Sequence, residues 1–359
     1  MGLLTRPHER ALTLLYTELG RTAGECSEAL IGTPGTLTTR RNAEGTAFWV
    51  RRYSDACGKR REAYVGKADA PETDEKLEAL RERIEITNSM ISSIRLLTRA
   101  GFAAVDKKAY AALTSLHNHG LFDAGACLIG SHAYGALLNS LGIRASPYVT
   151  EDVDVARGGE LAVPERPSFL EMLRASGVEL FEVPQLDRRK PSTSFRERSA
   201  SRFRVDLLVP SRDETYPVVA VPELKAHATG LPYLSFLLVD SQRLPVLSSH
   251  GAISVRVPVP ERYAVHKLIV AALRPCSGDQ PVRDLEQAAV LLETLAEQHP
   301  GAIEAALGEV PRAARKHIAK SVRALARHLP AEAEAAWEAM AALSCRRGVR
   351  ERSHSSPDA

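Results

Sequence analysis

The stretch Thr150-Glu151-Asp152-Val153-Asp154-Val155-Ala156 constrains this chain more than any other. Side chains two apart on a strand share a face, so Asp152 and Asp154 project their carboxylates side by side while Val153 and Val155 turn into a core. Two further segments bear on that strand. Leu128-Ile129-Gly130-Ser131-His132-Ala133-Tyr134 reads as a buried strand, a Gly-Ser turn and a helix start. Phe203-Arg204-Val205-Asp206-Leu207-Leu208 places one carboxylate between apolar neighbours on what would be an adjacent strand, where Asp206 joins the pair as a third acid.

Carboxylates packed together repel one another and raise their own pKa values unless a cation compensates them. Oxygen-only ligands suit magnesium, a hard octahedral ion that keeps its waters and bridges to phosphates, and two such ions can stabilise the attacking and leaving oxygens of a phosphoryl transfer. The Gly-Ser turn supplies the other half of such a site. Gly130 lets backbone amides approach a phosphate, the Ser131 hydroxyl can donate to it, and the following helix aims its positive end there.

Together these residues resemble the DNA polymerase β-like nucleotidyltransferase superfamily, whose pattern is an apolar-Gly-Ser turn and helix, then an Asp-x-Asp strand, then a later single Asp. Within it, the chain looks like a bacterial group of nucleotidyltransferase-fold proteins of unassigned substrate. The carriers are Gly130-Ser131-His132-Ala133, Leu141-Gly142-Ile143-Arg144 and Thr150-Glu151-Asp152-Val153-Asp154, with Val265-His266-Lys267-Leu268 and Arg283-Asp284-Leu285-Glu286-Gln287-Ala288 further on. The resemblance implies that Asp152 and Asp154 ligate magnesium, that Asp206 completes the site and helps deprotonate an acceptor hydroxyl, and that Gly130 and Ser131 hold a nucleoside triphosphate. It also places a helix behind the site, from which Lys267 could neutralise phosphate charge. His132 is expected to pack at the helix start, and His117 and His119 to be surface residues. Ser146-Pro147-Tyr148 reads as an insertion ahead of the acidic strand.

The expected fold is α/β (α+β): a small mixed-sheet nucleotidyltransferase domain followed by a helical domain, with an N-terminal three-stranded meander and long helix. Residues 8–31 read as a helix and Leu37–Arg41, Thr46–Tyr53 and Arg61–Val65 as short strands joined by glycine-bearing turns. Leu77, Leu80, Ile84, Ile91, Ile94 and Leu97 mark one long amphipathic helix over Glu72–Ala100. Alternating strand and helix signals follow from Asp123: strands near Ala126–Ile129, Val153–Ala156, Glu179–Val183 and Phe203–Val209, helices near Ala133–Leu141 and Ser168–Ala175. From Pro260 the signal is helical. The expected units are 1–119 (helix, basic meander, long helix), 120–245 (catalytic domain), 246–345 (helical substrate-side domain) and 346–359 (a disordered Arg- and Ser-rich tail).

The longest uninterrupted apolar stretch, Leu268 to Leu273, falls far short of the roughly 18 residues needed to cross a bilayer, and no signal peptide is legible, so a cytoplasmic protein is expected. Cys26, Cys57, Cys127, Cys276 and Cys345 are scattered singly, which indicates reduced thiols and neither a disulfide framework nor a structural zinc. The overall charge of +3 does not announce a nucleic-acid partner. Residues 36–67 differ, with Arg40, Arg41, Arg51, Arg52, Lys59, Arg60, Arg61 and Lys67 against three acids and with Phe48, Trp49, Tyr53 and Tyr64 interleaved. Such a surface can track a phosphate backbone and stack unpaired bases, or the aromatics can pack on the long helix with the arginines solvated outside.

The functional expectation is a magnesium-dependent transfer of a nucleotidyl group from an NTP to a hydroxyl of an RNA end, a protein or a small molecule. The alternative is a catalytically silent member of the fold that binds nucleic acid or nucleotide through the basic meander. The loop from Pro184 to Ser201, with Arg188, Arg189, Lys190, Arg196 and Arg198, lies close enough to Asp206 in sequence to shape substrate access, and reads equally as a solvated basic loop.

Overall fold

The computed structural model describes residues 4–145, 150–162, 167–187, 189–198, 202–275 and 278–341. Ser146-Pro147-Tyr148, Arg188, Cys276, Cys345 and the tail expected over 346–359 lie outside these residues.

A two-residue strand β1 (Arg6–Pro7) leads into α1 (Arg10–Glu25), which ends short of residue 31 at Cys26, whose backbone is extended. The cause is tertiary. The backbone of Ala29 is clamped by Asn118, whose amide donates to the Ala29 carbonyl and accepts from its N–H, both at 2.9 Å. Strands β2 (Thr36–Arg41), β3 (Ala47–Ser54) and β4 (Arg60–Lys67) form the expected antiparallel meander, in that order. Helix α2 (Pro71–Arg99) starts with proline in its first turn and acidic Glu72 and Asp74 beside its positive end, and it buries Leu77, Met90, Ile91, Ile94 and Leu97.

The helix α3 (Lys107–Asn118) is absent from the sequence expectation; it is buried almost all round, from Ala109 to His117, its polar Thr114, Ser115 and His117 included. Asp106 caps it, accepting from the N–H groups of Lys108 and Ala109. His117, expected at the surface, is buried, its ring nitrogens 3.1 Å and 3.3 Å from the carbonyl oxygens of Ser254 and Cys26.

The α/β centre then runs β5 (Ala126–Ile129), α4 (Gly130–Ser140), β6 (Ile143–Arg144, paired with β1), β7 (Asp152–Arg157), α5 (Phe169–Arg174), β8 (Leu180–Glu182), β9 (Ser194–Glu197), β10 (Arg204–Ser211), β11 (Val218–Val221) and β12 (Ala226–Pro232). Seven of these strands make one mixed sheet with the path β11-β12-β10-β7-β5. Strand β10 runs parallel to β7 and β12, and its first half also pairs antiparallel with β9, which in turn carries β8. Val153, Val155, Phe195, Val205 and Leu207 are buried on one face of this sheet, which leaves the alternate positions to the other.

A short helix α6 (Leu234–Leu238) leads to the hairpin β13 (Ser241–Ser248) and β14 (Gly251–Pro258), within which the expected 245/246 junction falls. The helices α7 (Pro260–Leu273), α8 (Gln280–Gln298), α9 (Ala302–Gly308) and α10 (Arg315–Leu325) complete the expected helical layer. No helix among the described residues is long and apolar enough to cross a membrane.

Candidate active site

The strand register brings the three aspartates together. Asp206 on β10 lies directly opposite Asp154 on β7, and Arg204 lies opposite Asp152. On the other side of β7, Ile129 at the end of β5 pairs with Asp154, so the Gly130-Ser131 turn rises beside the same carboxylate. Gly130 cannot be replaced without cost. Its φ is +69°, and a Cβ there would stand 2.1 Å from Asp154 Oδ2. Helix α4 begins at Gly130, so the first turn of a helix, with its unpaired N–H groups, opens at the acids. Beyond Ser131 a cavity of about 550 Å³ follows α4 between the loop Gly101–Asp106 and strand β13.

Burial grades the three acids. The Asp152 side chain is 44% exposed and that of Asp206 15% exposed. Burial, reinforced by the neighbouring Asp206, pushes the Asp154 carboxyl up to about 7, with Lys267 pulling in the opposite sense. Asp206 is also raised by burial, against the lowering effect of Ser194 and Arg204. Arg204 is the site's own cation: its Nη2 donates to Asp152 Oδ2 at 3.3 Å, and its Nε lies 3.0 Å from Asp206 Oδ2. Sequence reasoning did not single out Arg204, yet the signal was present, because a residue two before Asp206 on a strand shares its face.

The donor set fits a hard divalent cation in chemistry. It consists of carboxylate oxygens, and Asp206 Oδ1 is buried without a hydrogen-bond partner among the described residues. With Arg204 between Asp152 and Asp206, no set of three or more His, Cys, Asp or Glu side chains among the described residues is drawn together as a finished metal cage.

Helix α7 supports the turn. Tyr263 is buried and its hydroxyl donates to the Gly130 carbonyl at 2.8 Å and reaches Gln287 Oε1 at 3.3 Å. One turn later, Lys267 donates to Asp284 at 2.7 Å, and Arg274 holds the other oxygen of the same carboxylate at 2.7 Å. The positive charge of Lys267 is thus felt at Asp154 while its ammonium group is anchored on α8. Tyr263 and Asp284 were missed as site residues because their roles depend on helices packing against a turn more than a hundred residues earlier. His132 packs at the start of α4 as expected; burial lowers it to about 4, so the imidazole is neutral, with Asp106 and Asp152 pulling the other way.

The meander separates its arginines. Arg51 is 8% exposed, its guanidinium 4.2 Å over the Tyr53 ring and its Nη2 donating to the carbonyls of Ile31 and Thr33. Arg51 therefore belongs to the interior and is not an outward phosphate contact. Arg52 and Arg40 face solvent and share Glu62, beside the Phe48 and Tyr64 rings, which lie 5.9 Å apart with Tyr64 63% exposed. Cys26, Cys57 and Cys127 are free thiols.

No curated protein and no solved structure matches the chain. A family model described as nucleotidyltransferase matches residues 107–311, more than half of the 359 residues and the whole span from α3 through α9 that holds the acids, the Gly-Ser turn and its supporting helices. The chain belongs to the nucleotidyltransferase family.

Proposed function

We propose that this protein transfers a nucleotidyl group from a nucleoside triphosphate to a hydroxyl of an acceptor, with Asp152, Asp154 and Asp206 as its metal-holding and catalytic side chains. The observation that carries the reading is the register that sets Asp154 against Asp206 on one side and against the Gly130 turn on the other. In balanced form, the acceptor oxygen bonds to the α-phosphorus, the bond from that phosphorus to the pyrophosphate oxygen breaks, and the hydroxyl proton leaves to Asp206.

Gly130 and Ser131 hold the triphosphate: the glycine allows close backbone approach, and the serine and the first-turn N–H groups of α4 donate to phosphate oxygens. Lys267, anchored by Asp284, adds positive charge at Asp154. Magnesium held by the three aspartates would supply charge neutralisation at the phosphates and at the departing pyrophosphate. Arg204 keeps Asp152 and Asp206 from repelling each other until then.

The test is calorimetric titration of ATP, GTP, CTP and UTP into wild type and Asp152→Asn, with and without magnesium. Magnesium-dependent binding that is lost in the variant supports the reading and identifies the base. No binding of any triphosphate would overturn it in favour of a silent fold acting through the outer face of the meander.

A further inference from the structure

The N-terminal meander lies outside the matched span 107–311, and its two faces are unlike. Residues directly opposite one another on neighbouring strands share a face, so the register sorts the side chains. Leu37, Arg51 and Ala63 form one row of the inner face, and Trp49 and Gly66 form the next. That face meets helix α2 so closely that no Cβ fits between Gly66 and the Thr73 side chain. On the outer face, Arg40, Phe48 and Lys67 make one row and Thr38, Val50 and Tyr64 the second. Arg52 and Glu62 follow in the third, and Arg60 stands beyond them opposite Ser54.

Two properties of this outer face are left unmatched by the protein itself. The first is charge. Arg40 and Arg52 share the one acid of the face, reaching the same oxygen of Glu62 at 2.6 Å and 3.3 Å. Lys67 and Arg60 are exposed and enter no ion pair among the described residues, so four cations stand against one carboxylate, a balance that complements a polyanion. The second is aromatic. Phe48 and Tyr64 stand together, their centroids 5.9 Å apart and their planes tilted by 41°, beside a buried Val50. Tyr64 is nevertheless 63% exposed, which leaves ring area for a further flat group to cover. The surface is also fixed in place. In the turn from β3 to β4 the buried Asp55 accepts from the N–H groups of Cys57 and Lys59 at 2.9 Å, and the adjacent Ala56 is buried in the same core as β5, β7 and β10. A ligand on the outer face is therefore held at a set place relative to the three aspartates.

We propose that the outer face of the meander is a docking surface for single-stranded nucleic acid, with its cations on backbone phosphates and the Tyr64 ring stacked on an unpaired base. Positive charge tracks the phosphates of any nucleic acid, and a ring among the cations selects a strand whose bases are free to stack. A duplex keeps its base faces stacked inside and would use the cations alone. An acidic protein segment would likewise answer the charges and leave the ring uncovered. The surface is separate from the acidic strands, so the proposal goes beyond the transfer reaction and holds for an active or a silent enzyme alike.

Short labelled single-stranded RNA and DNA oligonucleotides of mixed sequence, and duplexes of the same length, titrated against the full chain by fluorescence anisotropy over a range of salt, test the assignment. Wild type is expected to bind the single strand more tightly than the duplex, with affinity falling as salt rises. Tyr64→Ala should weaken single-strand binding about tenfold with the salt slope unchanged, because stacking releases no counterions, and Tyr64→Trp should restore it. Lys67→Gln should weaken binding and reduce the salt slope by about 0.7. Arg81→Gln, which removes the same charge from the exposed side of α2, should change neither. Comparison of the RNA and DNA arms tells which polymer is the source. No oligonucleotide binding, a duplex bound as tightly as a single strand, or binding indifferent to Tyr64 and Lys67 would overturn the proposal. Magnesium-triphosphate calorimetry on the same samples keeps it apart from the transfer reaction. Oligonucleotide binding without triphosphate binding supports the docking surface and overturns the proposed function; triphosphate binding without oligonucleotide binding overturns the docking surface alone.

Discussion

Two strands of this molecule carry paired like charges, and the pairs meet opposite fates. On β7 the acids are two apart, so Asp152 and Asp154 share a face and, with Asp206 and Arg204 set against them, become one electrostatic unit. On β3 the arginines are adjacent, so the strand sends them to opposite faces: Arg51 inward to the carbonyls of Ile31 and Thr33, Arg52 outward to Glu62. Charge composition alone would rank the meander as the more charged functional surface. The period of the strand reverses that order, because only charges at even spacing can act together.

The comparison breaks most visibly at Asp154. Asp154→Asn should remove magnesium-dependent triphosphate binding to below detection in calorimetry, whereas Arg52→Ala should leave it unchanged. The same substitution should stabilise the metal-free protein at alkaline pH. Burial and Asp206 raise the Asp154 carboxyl from 3.8 to about 7, so the folded state binds more protons than the unfolded chain between those values, and stability is lost as pH rises through that window. Asn does not titrate. Urea denaturation of the metal-free protein should therefore show little difference between the two near pH 4, and an advantage for the variant at pH 8 of no more than about 4 kcal/mol. A variant less stable than wild type at pH 8 would mean that Asp154 is held by compensating charge rather than strained by its absence.

Gly130→Ala should come next. The positive φ and the 2.1 Å approach to Asp154 Oδ2 together force the turn or the carboxylate to move, so triphosphate affinity should fall by about a hundredfold while α4, packed through Ala133 and Leu137, stays folded by circular dichroism. Within the meander, Arg51→Ala should cost about 2–3 kcal/mol in urea denaturation, since it strips a buried charged donor from two carbonyls and an aromatic ring. Arg52→Ala, with its solvent-exposed ion pair, should stay within about 0.5 kcal/mol of wild type. Equal effects of the two arginines would dissolve the contrast.

The parts legible in the sequence were those with a strict period or a turn residue of special geometry. The meander, the long helix, the Gly-Ser turn and the acidic strand all announce themselves in this way, and the three acids are indeed neighbours in the sheet. The buried helix α3 was not read, because burial there takes in the polar Thr114, Ser115 and His117 as well as the apolar residues, and the β13–β14 hairpin was not read although Ile253, Val255 and Val257 alternate with Ser254 and Arg256 along β14. The rest of the site depended on contacts remote in sequence. Tyr263 and Asp284 could be seen as parts of helices, but only packing tells that one holds the Gly130 carbonyl and the other holds Lys267.

The smallest expected effect asks whether the helical layer belongs to the site or merely covers it. Tyr263→Phe keeps the ring and its packing against Tyr134 while removing one hydroxyl. The Gly130 carbonyl and Gln287 Oε1 then lose a donor, which should cost about 1 kcal/mol in stability. If the hydroxyl also fixes the orientation of the Gly130 peptide beside Asp154, triphosphate affinity should drop severalfold more than that stability loss implies for a folded protein, in which a merely structural hydroxyl would leave affinity alone. Gln287→Leu supplies the control, because it removes the other acceptor of Tyr263 and leaves the bond to Gly130 in place. Weakened binding in Tyr263→Phe with normal binding in Gln287→Leu would make α7 a positioning element of the phosphate turn; unchanged binding in both would confine the helical layer to packing and leave the β5–α4 junction to hold its geometry by Gly130 alone.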